Sequence, residues 1–458
     1  VQTCALPICV PLPQAVAGYQ LQKITERERA LLGDASEQQV VSAYRAEASR
    51  YAELLRHVDQ SLIDERRAAQ ARLDEAIASH APVRDIHAAE RFLRALPRDA
   101  ETAREAWSRA RDAAEERTRP LAGMPPHAQA FAGDPQGTEA ERGAFDNSRI
   151  NFMALVFCLM AGTAGMPHIL ARFYTTRDVR GARQSVTWAV LFIVLLYISA
   201  PALAVLLKFE VLNSVVGVRF DRLPAWIIEW SRVDPALLSV TDINRDGILQ
   251  LGELRINGDI LVLAAPEIGG MPFSVSCLVA AGALAAALST ADGLLLTTAN
   301  ALAHDLYFKV LDPGASPTRR VAVSKVVLLV VALLAAYIAT RRPAAILHLV
   351  TPVFSIAAAT IFPALILGVF WKRANLWGAC AGMLAGLAIT LYYFVTRDPQ
   401  LQAWWGGNAG WPLWWGIQPG SAGVFGVPVA FAAAIVVSLC TPAQSQASRW
   451  VDEVRRPE

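Results

Sequence analysis

Apolar and polar positions divide this chain at about residue 150. Beyond that point, long apolar blocks alternate with short polar loops. The blocks fall near 151–172, 186–208, 272–301, 321–340, 344–370, 376–396 and 421–441. An α-helix needs about 20 apolar residues to cross a hydrocarbon core of about 30 Å, so the pattern predicts seven membrane helices. The first block, NFMALVFCLMAGTAGMPHILARFY, is interrupted by Gly162, Gly165 and Pro167. Such interruptions loosen a helix and free backbone carbonyls, and discontinuous helices build substrate sites in transporters; a plain kink is the alternative. Gly378, Gly382 and Gly386 form a small-residue stripe that reads as close helix packing. Pro352 and Pro363 are expected to kink the fifth block.

Before residue 150 the pattern is that of a soluble helical region. Helix is expected from about Ser36 to Arg117, with Ser36 and Gln39 fitting a capping box. Tyr44, Tyr51, Leu55, Val58 and Leu62 make an inward stripe at heptad-like spacing, loosely extended by Leu73 and Ile77. Pro82 interrupts it, Pro97 ends a shorter helix through Phe92 and Leu96, and a further helix holds Trp107. Residues 11–117 thus read as an extracytoplasmic helical hairpin or three-helix insert whose partner is unknown, and 118–146, with Pro120, Pro125, Pro126 and Pro135, as a linker. Residues 1–10 contain VQTCALPIC, which resembles translated adapter sequence more than native protein. The chain starts with Val and shows no basic n-region before an apolar h-region. It is expected to be the C-terminal part of a longer protein.

Arginine placement orients the blocks. Arg172, Arg177, Arg180 and Arg183, then Lys309, Arg319 and Arg320, then Lys372 and Arg373, then Arg449, Arg455 and Arg456 fall in alternate loops. Those loops would be cytoplasmic, with the 443–458 tail; Arg341 and Arg342 are the exception. The N-terminal region and the loop 209–271 would lie outside a multi-pass inner (plasma) membrane protein, where Trp404, Trp405, Trp411, Trp414 and Trp415 suit an interfacial belt. Of the 458 residues 54% are hydrophobic and 18% charged, and the net charge is +2. The N-terminal arginines are interleaved with acids, so nothing points to nucleic acid. Cys158, Cys277, Cys380 and Cys440 lie singly in apolar segments and read as packing residues; Cys4 and Cys9 could bridge on spacing alone. No spacing suggests a Ser-His-Asp triad, and the chain is not expected to be an enzyme.

The most informative block is Pro272–Tyr307. After about twenty apolar residues come Ser289, Thr290 and Asp292, then Thr297, Thr298 and Asn300. A carboxylate at membrane depth usually faces a protein interior or an ion path, and neutral oxygens can replace the water shell of an alkali cation. Ser289-Thr290 stand sixteen positions before Asp305-Leu306-Tyr307. In this the segment resembles the eighth core helix of the sodium:solute symporter family, with the cation/acetate symporter branch nearest. The resemblance runs from about Asn151 to the end of the last apolar block. It implies an all-α polytopic membrane protein, the second half of a LeuT-type inverted-repeat transporter fold with two further helices, beside the soluble N-terminal helices. It also implies Na+ as coupling ion, held by the Ala286 carbonyl and the Ser289 and Thr290 hydroxyls. Asp292 would serve a second cation or a proton. The first block resembles the sixth core helix, which lines the substrate cavity, so Gly162, Thr163, Gly165 and His168 are the cavity candidates. A packing histidine is an equal reading of His168, and Arg172 at the cytoplasmic edge reads as a snorkelling side chain. Half the cation site would be missing, and the chain alone would not transport. The implied substrate is a small organic solute, acetate or another short monocarboxylate. A symporter-like membrane sensor and a non-transporting calcium-binding scaffold are the rivals.

One loop stands apart. DINRDGILQLGE, from Asp242 to Glu253, carries oxygen side chains at positions one, three, five and twelve: Asp242, Asn244, Asp246 and Glu253. Gly247 sits at the sharp turn, Ile248 offers a carbonyl, Leu249 is apolar and Gln250 can ligate directly or through water. This is the EF-hand pattern for Ca2+. The helices expected to flank it are poor, because Asn257-Gly258 breaks the exit side.

Overall fold

The computed structural model describes residues 11–124, 131–173, 176–340, 346–399, 401–402, 412–442 and 451. Cys4, Cys9, Arg341, Arg342, Trp404, Trp405, Trp411 and the arginines of the 443–458 tail lie outside the described residues. Among the described residues the α-helices include, in order, α1 Pro11–Leu32, α2 Ala35–Arg56, α3 Val58–Ala78, α4 Val83–Ala95, α5 Ala100–Arg117, α6 Glu139–Gly165, α7 Pro167–Phe173, α8 Val179–Ser214, α9 Ala225–Val233, α10 Leu261–Ile268, α11 Phe273–Asn300, α12 Pro317–Thr340, α13 Ile346–Phe370, α14 Leu376–Arg397 and α15 Gly423–Cys440. Strands β1 Leu238–Val240 and β2 Leu254–Ile256 pair antiparallel, with Ser239 opposite Arg255. The chain forms two compact units, Val1–Ala130 with Leu195–Ala281, and Phe131–Val194 with Gly282–Glu458.

In the first unit the N-terminal region contains five helices, which corrects the hairpin or three-helix expectation. Helicity begins well before Ser36, with α1. The cap of α2 is Asp34, whose Oδ1 accepts from the Ser36 N–H at 2.9 Å and the Ser36 hydroxyl at 2.7 Å. Ser36 therefore lies inside the helix, and the Ser36/Gln39 box is not formed. The heptad-like stripe does face inward, but across a break at His57. Val58, Leu62, Ala103 and Trp107 are buried, with Tyr51, Leu54 and Leu55 packed on them, so α2, α3 and α5 share one core. Ile77 is exposed and does not extend it. A second core joins α1 to the end of α8: Ile24, Leu31, Val205, Leu212 and Leu251 are buried together. The stretch 209–271 has a core of its own, built on Trp226, Ile227, Leu238, Leu249, Leu254 and Ile260.

In the second unit, α6 begins at Glu139, inside the expected linker, with a true capping box between Thr138 and Glu141. It stops at Gly165, and α7 starts at Pro167. The predicted interruption of the first block is thus a real break, caused by a proline that cannot donate to the preceding turn. The glycine stripe of α14 is buried, and the neighbours its extra Cβ atoms would strike are Ser438, Ala434 and Ala430 of α15 and Ala359 of α13. Without side chains at these three points the backbones approach closely, as predicted. Pro352 and Pro363 both lie within α13. Asn151 ties α6 to the segment before α15, donating to the Gly416 carbonyl at 2.7 Å and accepting from the Gln418 N–H at 2.6 Å. α11 continues into a π-helical stretch, Ala301–Leu311. Among the described residues, seven helical stretches are long and apolar enough to cross a membrane, matching the seven predicted blocks.

Candidate functional site

Ala286, Ser289 and Thr290 stand at i, i+3 and i+4 on α11, so they share one helix face. All three are exposed, as is Asp292. The Thr290 hydroxyl donates to the Ala286 carbonyl at 3.0 Å. Two of the predicted sodium ligands are therefore engaged with each other in this conformation; the hydroxyl oxygen keeps lone pairs for a cation, whereas the Ala286 carbonyl, inside α11, also faces the Thr290 backbone N–H.

The break between α6 and α7 sets the other half. Gly162 lies against the Phe354 backbone and Gly165 against the Ala357 carbonyl of α13, so both serve the α6–α13 crossing. Thr163 is exposed and its hydroxyl donates to the Leu159 carbonyl at 2.7 Å. His168 is half-buried, and its Nδ1 is buried without a hydrogen-bond partner. The four cavity candidates thus point to different surroundings, two into a helix contact and two away from it.

Arg172 is the residue the sequence undervalued. Its Nη2 lies 3.3 Å from where a Cβ on Gly293 would stand. Gly293 is one turn beyond Ser289 and Thr290 on α11. A guanidinium from the broken helix is therefore brought beside the hydroxyl-bearing helix. Only the absent side chain of Gly293 hinted at this in the sequence.

The loop 242–253 lies in the first unit, between β1 and β2 and not between helices. Arg245 and Gly247 take positive φ, 61° and 72°. The Gly247 N–H donates to Asp242 Oδ2 at 3.1 Å, the Asp246 N–H to Asn244 Oδ1 at 3.1 Å and the Ile248 N–H to Asp246 Oδ1 at 2.7 Å. Glu253 accepts from the Ile243 N–H at 2.8 Å and the Gln250 N–H at 3.1 Å. Burial pushes the Glu253 carboxyl up, the backbone bonds oppose this, and the charge of Asp242 adds to it. Among the described residues, no three His, Cys, Asp or Glu side chains gather as a metal cluster.

Length, helicity and apolar spans define a polytopic all-α integral membrane protein. Residues 265–386 match the sodium:solute symporter family. It is 46% identical over 434 residues to an uncharacterized symporter of Cupriavidus necator, covering 94% of this chain and 62% of the relative. It is 28% identical over 251 residues to a monocarboxylic acid transporter of Corynebacterium glutamicum, covering 54% and 39%. It is 30% identical over 283 residues to an uncharacterized symporter of Bacillus subtilis, covering 61% and 47%. The chain thus spans less than two thirds of the length of these relatives. No solved structure matches it.

Proposed function

We propose that the protein is a sodium-coupled symporter of a small organic anion, a short monocarboxylate such as acetate. The observation that carries this reading is the approach of Arg172 to Gly293, one turn from Ser289 and Thr290. A guanidinium matches a carboxylate with two parallel hydrogen bonds, and hydroxyl and carbonyl oxygens suit a desolvated alkali cation. Solute anion and Na+ would then sit close enough to favour each other. The name of the Corynebacterium relative, a monocarboxylic acid transporter, agrees with such a solute. Sodium would bind at the Ala286 carbonyl and the Ser289 and Thr290 hydroxyls, with Asp292 holding a second cation or a proton. Occupancy would shift an alternating-access equilibrium, because a ligand moves a two-state balance only through its differential affinity. His168, four residues before Arg172 on α7, lies in the same stretch and would contribute a neutral donor to the solute.

The test is uptake by proteoliposomes that hold the protein extended to the length of its Cupriavidus relative. Ser289→Ala with Thr290→Ala should raise the half-saturating Na+ concentration by about tenfold, the equivalent of about 1.4 kcal/mol, while saturating Na+ restores the solute KM. Arg172→Gln should raise the solute KM for carboxylates and leave the Na+ dependence in place. Unchanged Na+ dependence in the double variant removes those hydroxyls from the site.

A further inference from the structure

The loop 242–253 carries more than a turn needs. Gln250 is 3% exposed, yet its Oε1 has no hydrogen-bond partner. Its amide is aimed into the loop, since Nε2 donates to Asp246 Oδ2 at 2.5 Å. Asp242 Oδ1 is likewise buried and unpartnered. Unmet acceptors at this depth are unfavourable, and more so when charged. Two such oxygens within one twelve-residue segment call for a shared positive partner.

The surrounding charges do not supply it. Asp242, Asp246 and Glu253 are three acids in one short loop, and no described ion pair reaches any of them. Arg245, the basic residue within the segment, is exposed. The backbone contributes as well. The Gly247 and Leu249 carbonyls accept from the Phe220 and Gly217 N–H groups. Extended backbone alternates its carbonyls, so the Ile248 carbonyl is turned to the opposite side from that pairing.

We propose that residues 242–253 bind a hard divalent cation of the calcium type, through the side-chain oxygens of Asp242, Asn244, Asp246, Gln250 and Glu253 and the Ile248 carbonyl. Half of this donor set is neutral oxygen; in this conformation the three acids do not form a compact cluster, and binding would draw them together. Calcium accepts six to eight oxygens, neutral ones included, in flexible geometry, whereas magnesium demands a near-ideal octahedron. The oxygen-only set also disfavours the thiolate- and imidazole-seeking metals. Glu253 keeps lone pairs for the cation beside its backbone hydrogen bonds, since a carboxylate offers about four acceptor sites. Binding would fix more than the loop. Leu251 and Gly252 donate their backbone N–H groups to Glu37 of α2 at 2.6 and 3.4 Å, so the cation would hold the segment on which α2 rests.

The experiment uses the 458-residue chain in detergent, stripped with a chelator and titrated with CaCl2 or MgCl2 at matched ionic strength. Calorimetry should give saturable Ca2+ binding with Kd on the order of 10⁻⁴ to 10⁻³ M, as in extracellular calcium modules. The unfolding temperature should rise with Ca2+ and rise less with Mg2+. Asp242→Asn and Glu253→Gln should weaken binding at least tenfold. Gln250→Glu adds an anionic donor and should tighten Ca2+ binding severalfold, a gain that a misfolded variant cannot mimic. Absence of saturable Ca2+ heat in the parent chain, or a Gln250→Glu variant with unchanged Kd, overturns the proposal.

Discussion

Glu37 on α2 accepts the Leu251 backbone N–H at 2.6 Å across 214 positions of sequence. Gly252 donates to the same carboxylate at 3.4 Å, and a Cβ on Gly252 would meet Val40 Cγ1 at 2.7 Å. The N-terminal helices are thus joined to the 242–253 loop by a buried acid and a close backbone contact.

This join should be pH-dependent. Burial pushes the Glu37 carboxyl up, opposed by the Leu251 and Gly252 hydrogen bonds, with Asp34 and Glu253 as nearby like charges. A carboxyl raised in the folded state contributes stability that is complete below its unfolded value of about 4.3. That contribution is lost as pH rises through the folded value. The unfolding temperature of the first unit should therefore fall as pH rises above the unfolded carboxylate value. Glu37→Gln should lessen the fall without abolishing it, because Glu253 is raised by burial too. Glu37→Ala strands two buried donors and should cost about 1–3 kcal/mol. A pH profile identical in the parent and Glu37→Gln chains would remove Glu37 from this role.

The ion pair between Lys208 of α8 and Glu28 of α1 is 2.6 Å long, with side chains 10% and 5% exposed. Removing one partner leaves a buried charge alone. Lys208→Met should destabilise the first unit by about 3–5 kcal/mol, and adding Glu28→Leu should recover most of that loss. Denaturant unfolding of the single and double variants in detergent measures both. Equal stability of the two variants would mean that water already reaches the pair.

Tyr393 of α14 is fully buried, and its hydroxyl donates to the Ile417 carbonyl at 2.6 Å while accepting from the Trp414 N–H at 3.2 Å. Tyr393→Phe keeps the ring among Trp414 and Phe425. It should cost about 1–3 kcal/mol by leaving those two backbone groups unmet. The tryptophan fluorescence of thermal unfolding should report it, with Trp414 only 5.0 Å from the substituted ring. A cost below about 0.5 kcal/mol would show that water takes the place of the hydroxyl.

The membrane helices were legible because apolar length is a local property. So was the break at Pro167, which needs only one residue to be seen. Asp34 and Ser36 are both good caps for α2, and backbone geometry, which the sequence does not show, decides for Asp34. α1 escaped notice because its inward residues, Ile24 and Leu31, find their core on α8 and not within the N-terminal helices. The glycine stripe of α14 could be read as a packing face, but its partners on α13 and α15 could not. Contacts between residues more than a hundred positions apart, such as Glu37 with Leu251 or Arg172 with Gly293, leave no periodic trace. For that reason the spacing of the hydroxyls along α11 is legible in the sequence, and the arginine beside that helix is not.

α1 grips α8 at two neighbouring points. Glu28 holds Lys208, and Arg27 donates to the Leu212 carbonyl at 3.4 Å and the Val216 carbonyl at 3.2 Å, where α8 runs out of internal donors. A single contact is a pivot, but two contacts from adjacent residues resist rotation. The N-terminal helices are therefore fixed in angle as well as in place against the end of α8, within the first unit.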